Sequence, residues 1–578
     1  MTPPRWGTGR PGGARSGRWS WVDVVVAVGV AVLLYAVVRA GSGTPVSFTP
    51  SRGGRLGADP AHLPYYAVRS LLRMFAALGV SLVFALVYAY AAAHSRRLER
   101  VLIPALDVLQ SIPVLAFLTV AVSGFVALFP GSAFGLECAS IFAIFTSQAW
   151  NMAFAFYHSM AQTPRELDEL SRDLGFTRWM RFWRIELPGG AIPLVWNAMM
   201  SFGGGWFFLV ASEMMTVRDR GRALPGVGAY AGRAIAAGSL RDVGWAIGAM
   251  AVMVVGVNFL FWRPLVAWAE RFKVEQAGAA EIQRSLVLDF LRRAHWPRVL
   301  ARVLAPAGEA AGRAGRVFGR DGRPFRDGGR RRRLGDAVFG AAVVLAIGWG
   351  AVDLVRYLNE RTGLGVFGEP LLLGLATLAR VVVLIAVATV VWVPVGVRIG
   401  LSPRLTRVAQ PIVQLLASFP ANFLFPLATW FFVRTGLPLN LGGILLMALG
   451  AQWYILFNAI AGAMAIPTDL REAMDDLGLR GWRRWRRLIV PGVFPAYVTG
   501  VVTASGGAWN ASIVSEIVAF GGTTLTATGL GAYVARAAES GDHPRLFAGV
   551  TVMALYVVGM NRLLWRRLYR LAERRYSL

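Results

Sequence analysis

An all-α polytopic membrane protein, with about twelve transmembrane helices arranged as two tandem six-helix halves in pseudo-two-fold symmetry, is the architecture this sequence predicts. Three observations predict it. The chain of 578 residues is 56% hydrophobic with a mean hydropathy of +0.51, far too apolar for a soluble globular protein and long enough for two membrane domains. Twelve apolar runs approach the roughly twenty residues that a helix needs to cross a bilayer. The second half then repeats the first at nearly constant spacing, which marks a duplicated domain.

The spans follow one another in the same order in each half. In the first they cover residues 22–39, 71–93, 105–129, 138–160, 191–214 and 243–264; in the second, 337–355, 371–394, 408–432, 441–464, 494–517 and 545–563. Several contain Gly or Pro, such as Pro113, Pro420 and Gly203–Gly205, which membrane helices tolerate when neighbours satisfy the freed backbone groups. Arg5, Arg10, Arg15 and Arg18 precede the first span, as they would precede a cleaved signal. Arg330 to Arg333 precede its internal counterpart in the same way, so an anchor is expected rather than a signal peptide. The resulting layout is residues 1–70 as an N-terminal segment, first span and outer loop, and 71–264 as the first domain. An Arg/Gly-rich linker covers 265–336, the seventh span and an outer loop 337–370, and the second domain with a basic tail 371–578.

The repeat itself is detailed. Trp150 falls on Trp453, 303 positions on, and at that offset Pro164 meets Pro467, Trp179 meets Trp482, and Gly203-Gly204 with Trp206 meet Gly506-Gly507 with Trp509. Glu213 falls on Glu516, and Gly226, Gly228 and Tyr230 fall on Gly529, Gly531 and Tyr533. Upstream the pairing slips by four, since Pro113 aligns with Pro420, so an outer loop should differ in length between the halves.

Charge sets the expected orientation. The formal net charge is +28, but the basic residues gather in short segments between apolar runs, as the positive-inside rule expects of a membrane protein and nucleic-acid binding does not require. The segments around Arg96-Arg97, 161–190, 464–493, the linker and the tail Arg566 to Arg575 would then share the cytoplasmic side with both termini. Arg218 to Arg241 is the exception, a basic segment expected outside. The single cysteine, Cys138, excludes an internal disulfide, and five scattered histidines offer no metal-ligand spacing.

Two segments carry the pattern E-x5-G-x9-[IL]-x-[LV]-P: Glu169, Gly175, Ile185, Leu187 and Pro188, and Glu472, Gly478, Leu488, Val490 and Pro491. Thr163-Pro164-Arg165-Glu166 reads as a capping box that starts a short helix ending at Gly175. In the second copy Thr468 is expected to cap a helix that stops at Gly478, with Asp469 complementing its dipole. The helix after each glycine would show Trp179 and Phe182, or Trp482 and Trp485, on one face, and arginines on another. The bland alternative is an amphipathic helix lying at the headgroups with its tryptophans in the interface.

These loops resemble the cytoplasmic EAA loop of binding-protein-dependent ABC importer permeases. The resemblance covers about residues 70–265 and 370–570, and implies two fused type I permease domains whose loops dock two separate ABC ATPase subunits. Glu169, Gly175, Trp179, Pro188, Glu472, Ala473, Gly478, Trp482 and Pro491 would form the docking knobs. Leu170-Ser171 replaces the family's paired alanines, and Met474 is a milder departure. The flanking Gln110-Ser111-Ile112-Pro113, Gly-Gly-x-Trp and Gly-x-Gly elements resemble the nitrate/taurine/sulfonate branch, implying a small anionic solute delivered by an extracytoplasmic solute-binding protein. Lys273 is the only lysine, so the phosphate-binding G-x-x-x-x-G-K-[ST] loop cannot exist here. Cofactors in this chain are therefore none, with ATP and magnesium on the partner ATPase and no enzyme site of its own. The alternatives are an ion-gradient transporter with parallel repeats, which leaves the paired loops unexplained, and a non-transporting scaffold, against which the paired intramembrane carboxylates and mirrored helix breaks argue.

Ionisable and polar groups inside spans are costly and point to function. Glu213 and Glu516 are expected near the outer ends of the fifth spans, lining a pathway, pairing across the halves, or solvated at the headgroups. Gln110, Ser111, Asn197, Ser201, Asn422, Asn458 and Asn510 are the other pathway candidates, with hydrogen bonding between helices as the commoner use of such residues.

Overall fold

The computed structural model describes residues 59–111, 114–130, 132–218, 224–269 and 363–575, with scattered positions between 340 and 360. The expected first span and nearly all of the linker lie outside the described residues. In the first half the chain runs through α1 (Leu63–His94), α2 (Arg96–Ser111), α3 (Val114–Leu128), α4 (Phe134–Ala161), α5 (Arg165–Asp173), α6 (Arg178–Arg181), α7 (Leu187–Arg218), α8 (Val227–Ala236), α9 (Leu240–Val257) and α10 (Arg263–Ala269). The second half repeats it as α11 (Gly368–Gly400), α12 (Pro403–Ser418), α13 (Phe425–Thr435), α14 (Leu439–Met464), α15 (Thr468–Asp476), α16 (Gly481–Arg484), α17 (Val490–Ser515), α18 (Leu530–Ser540), α19 (His543–Met560) and α20 (Arg566–Arg575). Among the described residues, seven helices are long and apolar enough to cross a membrane.

Each half is centred on α4 or α14, packed between α1 and α7, or α11 and α17. Buried residues on α1 recur as Met74, Ala77, Ser81, Ala85, Ala89 and Ala92, a stripe of mostly small side chains at helical spacing that lets the helices approach closely where lipid provides no hydrophobic drive. The opposite side of α1 presents Val80, Val83 and Val87 outward, as a lipid-facing surface requires.

One expected span proves to be broken. Residues 408–432 are not a single helix: α12 stops at Ser418, with Phe419 and Pro420 in extended conformation before a 3₁₀ turn at Ala421–Phe423, while Ile112 and Pro113 of the first half lie outside the described residues. Proline disfavours helical geometry in the residue before it, so Pro420 ends the helix instead of being absorbed in it. The four-residue slip falls just beyond, where α3 and α4 are joined by residues 129–133 but α13 and α14 by 436–438. The fifth span of the second half ends at Ser515, short of residue 517, and a hairpin follows: β1 (Ile517–Phe520) pairs antiparallel with β2 (Thr523–Thr526). Its turn, Gly521-Gly522, has positive φ at both positions, which only glycine adopts freely. Its tip rests on the first half, where Gly521 N donates to Ile235 O at 3.1 Å.

The halves exchange parts. Leu115 and Leu118 of α3 belong to the apolar core of the second half, and Phe423 belongs to that of the first. α12 packs on α7, and α3 on α17 and α18.

Candidate functional site

Three places concentrate chemistry: the two cytoplasmic-type knobs, a buried ion cluster in each half, and the seam where α7 meets the other half.

In both knobs a nine-residue helix, α5 or α15, ends at a left-handed glycine, Gly175 or Gly478, each with φ of +64°. A short helix (α6 or α16), a π-helical turn (Phe182–Glu186 or Trp485–Ile489) and the long α7 or α17 follow. The π turns sit just ahead of Pro188 and Pro491, whose missing N–H and ring disturb the preceding helical turn. The capping differs from expectation. The Thr163 hydroxyl donates back to Ser159 O at 3.4 Å, and Thr177 caps the following helix, α6, accepting from Met180 N at 3.3 Å. Thr468 is the first residue of α15 and does not cap it; Pro467 occupies the cap position. Glu169, Glu472 and Ala473 are exposed, Pro188 and Pro491 half-buried. Trp179 is 43% exposed and Trp482 76%, alongside exposed Leu167, Leu170, Leu174 and Leu477. Exposed apolar groups of this size on short polar helices mark a surface suited to a protein partner or a membrane interface.

The knobs are anchored differently. Arg181 Nε donates to Glu186 at 2.8 Å, and His94 Nε2 lies 3.1 Å from the same oxygen, tying the first knob to the end of α1. The position matching Glu186 is Ile489, buried in an apolar cluster. In the second knob Arg484 instead pairs with Asp475 at 2.5 Å across α15 and α16.

Glu213 and Glu516 are 0% exposed, so they neither face an open passage nor reach headgroup water, and each pairs within its own half, not across the halves. Glu213 accepts from Ser70 Oγ at 2.7 Å, Arg73 Nη1 at 2.6 Å and Gly228 N at 2.8 Å. Arg73 and Arg69 also grip Glu137, Arg73 through Nε at 2.5 Å and Nη2 at 2.8 Å. In the second half Glu516 accepts from Thr377 Oγ1 at 2.8 Å, Arg380 Nη1 at 2.7 Å and Ala532 N at 3.1 Å. Arg380 Nη2 reaches Asn440 Oδ1 at 2.8 Å, where the first half has Glu137. Ala376 stands where Arg69 would be, so a cation and an anion are absent together. Such pairs survive burial only when their remaining hydrogen-bonding capacity is met, and the amides at the N-termini of α8 and α18 supply it with a favourable dipole.

This geometry explains the Gly-x-Gly element. A Cβ on Gly226 would lie 2.3 Å from the Glu213 carboxylate, and one on Gly529 2.2 Å from that of Glu516. Hydrogen alone leaves room for the carboxylate against the backbone.

The remaining pathway candidates are scattered. Gln110 is exposed and Ser111 ends α2. Asn197, Asn458 and Asn510 donate to the carbonyls of Pro193, Tyr454 and Gly506, four residues back on their own helices. Ser201 is buried 3.3 Å from Asn151 Nδ2, and Asn422 Nδ2 donates across the halves to Phe207 O at 3.2 Å. Sequence reasoning missed Arg69, Arg73, Glu137, Arg380 and Asn440, as well as Gln148, wholly buried with neither amide atom hydrogen-bonded. Arginines four apart in an apolar run were the signal available for the first pair.

Two duplicated helical domains that carry matched knobs and exchange core helices define a polytopic transport-type membrane protein. The chain belongs to the family described as binding-protein-dependent transport system inner membrane component, which matches residues 81–267 and again 392–578. It is similar to the taurine transport system permease protein TauC of Escherichia coli (strain K12), 27% identical over 181 residues, covering 31% of this chain and 62% of that protein. It is also similar to the nitrate import permease protein NrtB of Leptolyngbya laminosa, 26% identical over 188 residues, 32% of this chain and 64% of that one. A third relative is the bicarbonate transport system permease protein CmpB of Synechocystis sp. (strain ATCC 27184 / PCC 6803 / Kazusa), 30% identical over 148 residues, 25% of this chain and 51% of that one. The matched stretches thus span between half and two thirds of these relatives.

Proposed function

We propose that this chain is the complete transmembrane pair of an ATP-driven importer, two permease domains in one polypeptide around a single passage. The observation that carries this reading is the pair of exposed helix–glycine–helix knobs at matched places in two copies of the family domain. Each knob would seat in one of two separate ATPase subunits, which bind ATP and magnesium. Short rigid helices flanking one fixed turn transmit a push as helix displacement, where a loose loop would absorb it. Closure of the ATPases would move α7 and α17 through the knobs, and hydrolysis would reset them. An extracytoplasmic solute-binding protein would deliver the solute, and both termini would lie in the cytoplasm of a bacterial inner membrane.

The substrate class we infer is a small anion, supported by relatives named for taurine, nitrate and bicarbonate. The test is uptake into proteoliposomes holding this chain, its ATPase and its binding protein. Labelled taurine, nitrate and bicarbonate are offered with ATP or with a non-hydrolysable analogue. ATP-dependent accumulation of one of them is expected; accumulation driven equally well by an ion gradient without ATPase would overturn the reading.

A further inference from the structure

The seam between the halves is occupied by one aromatic residue of α14. The Tyr454 hydroxyl lies 3.6 Å from where a Cβ would stand on Gly204 of α7, and its ring edge lies 3.6 Å from the same point on Gly507 of α17. One phenol therefore fills the gap that two matched glycines leave, one glycine from each half. The position matching Tyr454 in the first half is Asn151, too short for that reach, and its amide turns to Ser201. The plug is thus built once, not twice.

The surroundings are those of a closed passage more than of a packed core. On α7, Gly203 meets Ser418, whose Oγ lies 2.7 Å from a Cβ placed there. One turn further, Asn422 is 5% exposed, with Oδ1 bonded to nothing while Nδ2 reaches Phe207 O. An amide oxygen left without a partner inside a membrane protein is costly, an arrangement that water or a solute in another state would relieve. On α17, a Cβ at Gly506 meets no described atom within 4 Å. Arg69, Arg73 and Arg380 are each paired with carboxylates of their own half, and the groups that meet across the seam, Tyr454, Ser418 and Asn422, are neutral.

Resting on the reading above, we propose that Tyr454 is the constriction of the translocation passage, a neutral, single-copy plug that an anion passes through hydrogen bonds and not past a fixed cation. A site of this kind would hold its solute weakly and release it readily.

The test uses the full complex with its ATPase, in a Cys138→Ser background. Tyr454→Cys is compared with Ile455→Cys, a neighbour on the same helix that is 0% exposed within the second core. With an anionic methanethiosulfonate reagent and ATP cycling, position 454 should react at least tenfold faster than position 455. In proteoliposomes loaded with labelled nitrate and lacking ATP, Tyr454→Ala should leak several-fold faster than the native chain, and Tyr454→Phe should retain nitrate as the native chain does. Equal labelling rates, or equal retention by Tyr454→Ala, would overturn the proposal. If the ATPase still copurifies with these variants, only the constriction fails and the importer reading stands.

Discussion

At the scale of single residues, charge balance explains more of this chain than hydropathy does. The first half holds Arg69 and Arg73 against Glu137 and Glu213; the second holds Arg380 against Glu516, with Ala376 and Asn440 at the vacated places. Asn440→Glu alone should therefore set an exposed carboxylate beside Arg380 without its second cation and lower the apparent melting temperature in detergent modestly. Adding Ala376→Arg should restore most of the loss, because it rebuilds the four-group cluster; no rescue would show that the two positions do not communicate. Gly226→Ala and Gly529→Ala should each cost roughly 1–3 kcal/mol by overpacking, read as a lower apparent Tm, while Gly244→Ala, where a Cβ meets nothing within 4 Å, should be near neutral. The matched carboxylates were legible in the sequence, but their partners were not. Arg73 and Arg380 lie on the far side of the four-residue slip, so the register that aligns Glu213 with Glu516 does not align their guanidinium partners.

At the scale of elements, the helix–glycine–helix knobs were legible because a glycine closing a short polar helix, repeated at matched places, has few other uses. Less legible were features that no local pattern encodes. Pro420 reads equally well as a tolerated kink and as a break, and only the structure shows the chain turning there, with α12 packed against α7. The hairpin β1–β2 hid in an apolar run, because β-branched residues after a membrane helix look like its continuation. The π turns depend on the prolines that follow them and on packing against the next helix. Replacing Gly175 or Gly478 with Val forces a β-branched residue into φ of +64°, at a cost of about 1–2 kcal/mol or more. Each substitution should redirect the helix after it and weaken ATPase capture several-fold, with little effect on the transmembrane core. Capture unchanged in both variants would mean that knob geometry is not what the partner recognises.

At the scale of the whole molecule, duplication followed by fusion accounts for both the symmetry and its breaches. α3 sits in the second core and Phe423 in the first, so the halves fold as one body and neither is a free-standing module. Fusion also permits the two copies to diverge. The first knob is held to α1 through Glu186 and His94, whereas the second is braced within itself by Arg484 and Asp475. Tyr454 likewise occupies the seam from one side only. A pair of identical chains could not carry such differences, so the two ATPase contacts need not be equivalent. The central claim is that two matched knobs deliver the force of a separate motor into one shared passage. The most direct measurement is copurification of an ATPase with the intact chain, quantified per permease, for the native protein and for Gly175→Val with Gly478→Val combined. The account predicts two ATPase subunits per native chain and close to none for the double variant; a native chain that captures no ATPase, or a double variant that captures it fully, would contradict it.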